Sequence, residues 1–498
     1  MTLQDARAKA DAWLNVPRPM LIDGKWVPAV SGETFATIDP ATELKIADVA
    51  LGGPADIDLA VAAARRAFQP GSPWRKMTPR DRAAILRRLA VLLKENAEEL
   101  AVLESLDNGK TYANTVAGDI DFSVNILNYM AGLALMIEGS VIPVSTEPTP
   151  PATDVFVYTR REPVGVVGSI IPWNFPLLMA IFKSAPVLTT GCTMVLKPAE
   201  QTPLSALRLG ELMKEAGVPD GVVNIVPGFG EAGAALAGHM GVDKIAFTGS
   251  TEVGRLIVKA SAGNLKKMTL ELGGKSPNII FADADIDAAI EGAALAIFFN
   301  HGECCVAGSR LYVERPVFER VVAGLVERAK QYRLGPGLDP ETDMGPLISQ
   351  EQMDRVLGYI QSGLSEGASV VIGGRRVGSV GYFVEPTLIT DVRPEMVCQR
   401  EEIFGPVLTV VPFDSVEEVI AAANDSPYGL AAAVWTKDIS KAHKTAAALV
   451  AGTVWINAYH ADDASIPRGG YKQSGWGREL GIEGISDYLL TKAVITAL

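Results

Sequence analysis

The sequence predicts an α/β protein, and three observations carry that assignment. Short apolar runs of strand length alternate with stretches of helical periodicity over most of the chain. Many of these runs end in Gly, Pro or Ser/Thr turns, as strands that feed helices do. At 498 residues the chain exceeds what one hydrophobic core organises, so about two or three domains are expected.

The elements follow in order. The first 35 or so residues read as an arm with short strands, and Leu21-Ile22-Asp23-Gly24-Lys25-Trp26-Val27 as a hairpin. Thr78-Pro79-Arg80-Asp81 supplies a cap, a Pro at the first helical position and a carboxylate two residues later. Ile85, Leu89, Leu92, Leu93 and Leu100 then recur at helical spacing until Asn108-Gly109. Around 141–164, Pro143, Pro148, Pro150 and Pro151 alternate with Val155, Phe156, Val157 and Tyr158. That pattern predicts an exposed extended hairpin, which has little to bury alone and pairs with another subunit. Strands are expected at 164–171, 193–197, 222–226 and 244–247, with a helix at 204–216 between them. A second α/β half spans about 274–470, with helices at 286–299 and 317–332 and strands at 407–413 and 453–457. Tyr488 to Ala497 is again strand-like. The most apolar window, 164–182, holds Pro172, Trp173, Asn174 and Pro176 and is closed by Lys183. It reads as buried strand plus loop and not as a membrane span.

Composition narrows the function. Apolar residues make up 48% and charged residues 21%, the balance of an ordinary globular protein. A net charge of −13 argues against nucleic acid or an anionic membrane as partner. Cys192, Cys304, Cys305 and Cys398 form no CxxC pair, and His239, His301, His443 and His460 have no ligand spacing. Neither a metal site nor a disulfide scaffold is expected. The N-terminal residues lack the basic and apolar regions of a signal peptide, so a cytoplasmic location is expected.

Several motifs carry candidate chemistry. Asn300-His301-Gly302-Glu303-Cys304-Cys305 places two thiols in a Gly-bounded segment, either as buried small hydrophobes or with one as a nucleophile. Leu270-Glu271-Leu272-Gly273-Gly274-Lys275 offers a carboxylate that could activate water. Its Gly274-Lys275-Ser276 is no P-loop, because Thr269 stands where the first Gly is required. Pro172-Trp173-Asn174-Phe175-Pro176 is a rigid loop whose Asn caps its own turn or donates to an oxyanion. Gly228-Phe229-Gly230-Glu231-Ala232-Gly233 matches a dinucleotide turn but lacks the acid some 20 residues on. Phe247-Thr248-Gly249-Ser250-Thr251 ends a strand and opens a helix, which suits phosphate or is an ordinary capped start. Lys197-Pro198-Ala199-Glu200 and Glu401-Glu402-Ile403-Phe404 could each hold a ribose. Otherwise they are a surface ion pair and a core aromatic beside exposed acids.

Together and in this order, these strings resemble the aldehyde dehydrogenase superfamily over nearly the whole chain, with Gly469-Gly470-Tyr471-Lys472-Gln473-Ser474-Gly475 closing the series. The resemblance implies a Rossmann-type NAD-binding domain (1–138 and 163–273), an α/β catalytic domain (274–473), and a small β oligomerisation arm and tail (139–162 and 474–498). It implies Cys305 as nucleophile, Asn174 in the oxyanion hole and Glu271 as the base for deacylation. Lys197 and Glu200 would hold the adenine ribose, Ser250 and Gly249 the pyrophosphate, and Glu402 with Phe404 the nicotinamide ribose. Trp173 and Gly230 would complete the cofactor contacts, Gly230 near the adenine end. Glu200 would repel a 2′-phosphate, which favours NAD over NADP. A homodimer or homotetramer acting on a small aldehyde is expected, with no metal.

The chain departs from the family near the expected pocket mouth, where Arg468 replaces the common Phe and Asp462 and Asp463 lie close in sequence. Arg468 could bind a substrate carboxylate, as in a semialdehyde dehydrogenase, or pair internally with one of these acids. The expected pocket of Phe175, Met179, Phe182, Cys304 and Arg468 suits an aromatic or medium-chain aldehyde. A CoA-acylating relative or a non-catalytic structural relative are the other readings; Glu271 opposes the first, and the Cys305, Glu271 and Asn174 set the second.

Overall fold

The structure, a computed structural model, describes residues 2–144 and 155–498. Two large sheets organise it. The first has eight strands in the order Gly475–Trp476, Lys267–Glu271, Lys244–Thr248, Val166–Ile170, Thr193–Lys197, Val223–Ile225, Met20–Ile22 and Lys25–Val27. Its five central neighbours from Lys267–Glu271 to Val223–Ile225 are parallel, and the flanking pairs are antiparallel. The second has seven strands in the order Ser369–Ile372, Thr387–Thr390, Val407–Phe413, Arg310–Glu314, Pro277–Ile280, Ala431–Trp435 and Thr453–Ile456. All but the first of these run parallel. Val166–Ile170, Thr193–Lys197, Pro277–Ile280 and Ala431–Trp435 are buried at every position, as parallel strands covered on both faces must be.

The predicted strands and helices form close to their expected bounds, including Thr193–Lys197, Val407–Phe413, and helices Leu204–Glu215 and Ile286–Phe298. The Leu21–Val27 hairpin also forms. Three elements differ. The N-terminal arm contains a helix, Leu3–Leu14, capped by a reciprocal Thr2–Asp5 box, with Ala6 and Ala10 packed on Val102, Leu103 and Leu106. The window 164–182 is strand Val166–Ile170, a short loop and then the start of a buried helix, Pro176–Thr190, because Pro176 occupies the first helical position where no N–H is needed. The helical run after Thr78 divides into Pro79–Glu95 and Ala97–Asn108 at Asn96, whose amide donates to the Leu92 carbonyl (2.9 Å). Gly109, at φ 88°, ends the second as the sequence indicates.

Val155–Pro163 pairs antiparallel with Leu489–Ala497 along its whole length, and the Ile142 N–H adds a bond to the Val157 carbonyl (2.9 Å). Pro148, Pro150 and Pro151 of the expected arm lie outside the described residues. Among the described residues no helix is long and apolar enough to cross a membrane, and no group of three or more His, Cys, Asp or Glu could hold a metal.

Two glycines let the segment bearing Cys305 approach neighbouring backbone. Asn300, His301 and Gly302 have φ of 50°, 46° and 76°, a left-handed run that turns the chain out of Ile286–Phe298. A Cβ on Gly302 would stand 2.1 Å from the Gly405 carbonyl oxygen, and one on Gly274 2.4 Å from that of Cys305. Gly302→Ala is therefore expected to destabilise the fold by several kcal/mol, on the order of the larger single-site effects. Thr78→Ala, which removes a cap, should cost only about 1 kcal/mol. Equilibrium urea unfolding of both variants checks the contrast; equal losses would contradict it.

Candidate active site

A cavity of about 1030 Å³ is lined by loops from both sheets, including Trp173, Asn174, Glu271, Cys305, Glu402 and Phe404. Glu271 is the last residue of its parallel strand, and Cys305 follows the left-handed turn. The site thus sits at carboxyl ends of strands, where α/β folds bind ligands.

Cys305 is half-buried and Cys304 is buried. The two thiols titrate as a pair: their mutual hydrogen bond holds Cys304 below the ordinary thiol range and drives Cys305 well above it. Burial raises both, and the Arg468 guanidinium lowers both.

Glu271 is held well above the usual carboxylate range, first by burial and then by the nearby Glu479 charge, with Lys183 opposing. Its Oε1 is buried without a hydrogen-bond partner among the described residues. Lys183, fully buried on Pro176–Thr190, pairs with Glu479 and donates to the Thr248 hydroxyl (2.7 Å). The sequence reading missed Lys183 and Glu479. A lone Lys inside an apolar helical run is the signal that could have found the first, since a buried ammonium requires a partner.

Asn174 is buried, and its amide donates to the Glu303 carbonyl (3.0 Å). Its own backbone carbonyl accepts from the Asn300 amide (3.1 Å). The Asn174 side chain is thereby fixed, with one of its two N–H bonds accounted for. Such a fixed amide can donate to an oxygen on which negative charge develops within the cavity.

The other end of the cavity offers groups that suit a dinucleotide. Glu402 accepts from the Gly274 N–H (2.8 Å), and burial pushes its carboxyl up to about 7. Phe404 meets Trp173 edge to face, with centroids 5.3 Å apart. The Ser250 hydroxyl accepts from the Val253 N–H (3.2 Å), so it is a helix cap whose turn, with Gly249, also lines the cavity. Lys197 and Glu200 pair with each other (3.0 Å) beyond the cavity lining, where a Cβ on Gly233 would lie 3.8 Å from the Lys197 side chain. Gly230 opens the helix Gly230–Gly238 that contains this glycine. A helix N-terminus lining the cavity suits a pyrophosphate, and the Glu402 and Glu200 carboxylates suit ribose hydroxyls.

At the cavity's remaining wall, Phe175 stacks on Phe299 (6.1 Å, 25°), with Met179 and Cys304 beside them. Phe182 does not line the cavity; it packs behind Phe122, with ring centroids 6.2 Å apart. Arg468 lines the cavity but donates to Asp462 (2.8 Å), the internal pairing of its two sequence alternatives. Asp463 accepts from the Ser465 N–H instead (2.9 Å).

Comparison with known proteins agrees with this geometry. The model of the aldehyde dehydrogenase family matches residues 26–494. Human mitochondrial aldehyde dehydrogenase is 51% identical over 477 residues, covering 95% of this chain and 91% of that protein. Chicken aldehyde dehydrogenase 1A1 is also 51% identical, covering 95% and 92%. The NAD+ complex of a Bacillus cereus aldehyde dehydrogenase superposes with a TM-score of 0.96 at 53% identity, covering 98% of each chain. A Staphylococcus aureus betaine aldehyde dehydrogenase in complex with NAD+ superposes at 0.95 and 43% identity, covering 99% and 97%.

The Glu271 environment has a measurable sign. A carboxyl whose folded pKa is raised stabilises the fold at low pH, and that contribution is lost as pH rises through the folded pKa. Glu271→Gln does not titrate at this position, so its melting temperature should gain on wild type as pH is raised from about 5 to about 9. Thermal melts across that range check it; a constant difference would mean Glu271 is not raised.

Proposed function

The chain belongs to the aldehyde dehydrogenase family, and we propose that it oxidises an aromatic or medium-chain aldehyde to the carboxylic acid with NAD as hydride acceptor. The observation that carries this reading is the meeting of Cys305, Glu271 and the fixed Asn174 amide around one cavity. The Cys305 thiol passes its proton to the Glu271 carboxylate as its sulfur adds to the aldehyde carbon, the Asn174 amide and the Cys305 N–H donate to the resulting oxyanion, and Glu271 releases that proton to solvent before deacylation. Bound NAD supplies the acceptor for the hydride that leaves this carbon, and a thioester on Cys305 results. Glu271 then takes a proton from water as that water attacks the thioester carbonyl, and the carbon–sulfur bond breaks to release the acid. A raised pKa suits Glu271 to this work near neutrality.

Lys197 and Glu200 would hold the adenine ribose with Gly230 nearby, Ser250 and Gly249 the pyrophosphate, and Glu402 the nicotinamide ribose between Phe404 and Trp173. Glu200 favours NAD over NADP by charge, and two of the similar structures are NAD+ complexes. On this reading residues 1–138 and 163–273 form the cofactor domain and 274–473 the catalytic domain. The paired strands Val155–Pro163 and Leu489–Ala497 join copies into a dimer or tetramer in the cytoplasm. Phe175, Met179 and Phe299 favour an apolar substrate body. A carboxylate-bearing aldehyde would have to displace Asp462 from Arg468, which disfavours the semialdehyde alternative. The Glu271 carboxyl beside the cavity favours water over CoA as acyl acceptor.

NADH absorbance against a panel of aliphatic, aromatic and acidic aldehydes tests the proposal. Cys305→Ala should abolish NADH formation while NAD binding, followed by fluorescence quenching, survives; normal turnover by that variant would remove the nucleophile assignment. Glu271→Gln should give at most a single burst of NADH and a trapped thioester visible by mass spectrometry. Arg468→Phe should change KM for acidic and neutral aldehydes by the same factor, whereas a selective rise for acidic ones would restore the carboxylate-binding role.

A further inference from the structure

The left-handed turn before the thiols is held by side chains that the chemistry above does not use. Glu303 and His301 are both buried, and Glu303 Oε2 lies 3.2 Å from His301 Nε2. Glu303 Oε1 accepts from the Ile348 N–H (3.1 Å), in the stretch just before the helix Gln350–Ser365. The carbonyl of Glu303 is a shared acceptor: the side-chain amides of Asn174 (3.0 Å) and Asn300 (3.1 Å) both donate to it. Asn300 uses the same nitrogen to reach the Asn174 carbonyl (3.1 Å). The direction of the Asn174 amide thus depends on where one carbonyl oxygen is placed.

We propose that Glu303 and His301 are positioning residues whose side-chain contact, anchored on the Ile348 amide, locks the left-handed turn and so aims Asn174. This inference rests on the oxyanion role proposed for Asn174.

The chemistry of the contact is that of two neutral groups. A carboxylate at Glu303 facing an unprotonated Nε2 would leave two buried acceptors without a donor. A proton on Oε2 satisfies both atoms in one hydrogen bond. Burial favours this arrangement, lowering His301 to about 3 and raising Glu303 well above the carboxylate range. Lys110, the cation whose charge acts on both groups, is already committed to Asp119 (3.0 Å) and Glu104 (3.4 Å). With the turn locked at φ near 50° for two non-glycine residues, the strain is carried by this contact and by the packing of Gly302.

Glu303→Gln keeps a donor for His301 and an acceptor for Ile348, so kcat should stay within about threefold of wild type. Glu303→Met removes both and should lower kcat about 10²-fold, the scale of a small misplacement, with KM for NAD unchanged within about twofold. If Glu303 acts through Asn174, adding Glu303→Met to Asn174→Ala should lower kcat little beyond Asn174→Ala alone. The idea is overturned if Glu303→Met retains kcat, if Glu303→Gln falls as far as Glu303→Met, or if the two losses multiply. Should Glu303→Met not fold, His301→Leu takes its place in the same cycle, with His301→Gln as the conservative control and the same criteria. Wild-type protein that makes no NADH from any aldehyde would instead defeat the functional reading beneath it.

Discussion

The site depends on a close approach of backbone to backbone. Gly302 lies against the Gly405 carbonyl and Gly274 against that of Cys305, with no space for a side chain at either contact. The first ties the thiol loop to the segment bearing Glu402 and Phe404; the second ties it to the linker that leaves Glu271 for the second sheet. Because Gly274 also donates its N–H to Glu402, one linker fixes the separation of Cys305, Glu271 and Glu402. Interiors packed at crystal density transmit such constraints with little slack. The two glycines therefore do for geometry what a longer, better hydrogen-bonded loop could not.

Within that frame, electrostatics divides the labour among similar groups. Glu271 and Glu402 are half-buried carboxyls and Glu479 a buried one, but each faces a different partner. Glu479 faces an ammonium, Glu402 a backbone N–H, and Glu271 a cavity with one oxygen left without a partner. The thiols follow the same logic, since adjacency makes one easier to ionise and the other harder.

Much of this was legible in the chain. Strands such as Thr193–Lys197 and Val407–Phe413 are apolar, bounded by turn residues and buried on both faces, so their bounds follow from local pattern alone. The thiol, the carboxylate and the Asn loop were legible because rigid Gly- and Pro-rich surroundings mark them. Leu3–Leu14 escaped because its buried face amounts to Ala6 and Ala10, too small a stripe to stand out from a polar segment. Pro176–Thr190 escaped because two prolines mask its periodicity, although one of them starts it. Lys183 and Glu479 stand 296 positions apart, and no local pattern reports a pair closed across that distance. Whether Arg468 met Asp462, Asp463 or a ligand likewise depended on loop geometry that spacing does not specify.

The strand Gly475–Trp476 completes the edge of the first sheet beside Leu270 and Glu271, although more than two hundred positions of chain intervene. A ribosome making this protein finishes Glu271 and Cys305 long before it reaches Glu479 or that edge. Through that interval the exposed strand carries Glu271 with Lys183 already made but without the Glu479 and Arg478 charges that also act on it. The order of synthesis thereby leaves the last charges beside Glu271 to be supplied when the sheet closes.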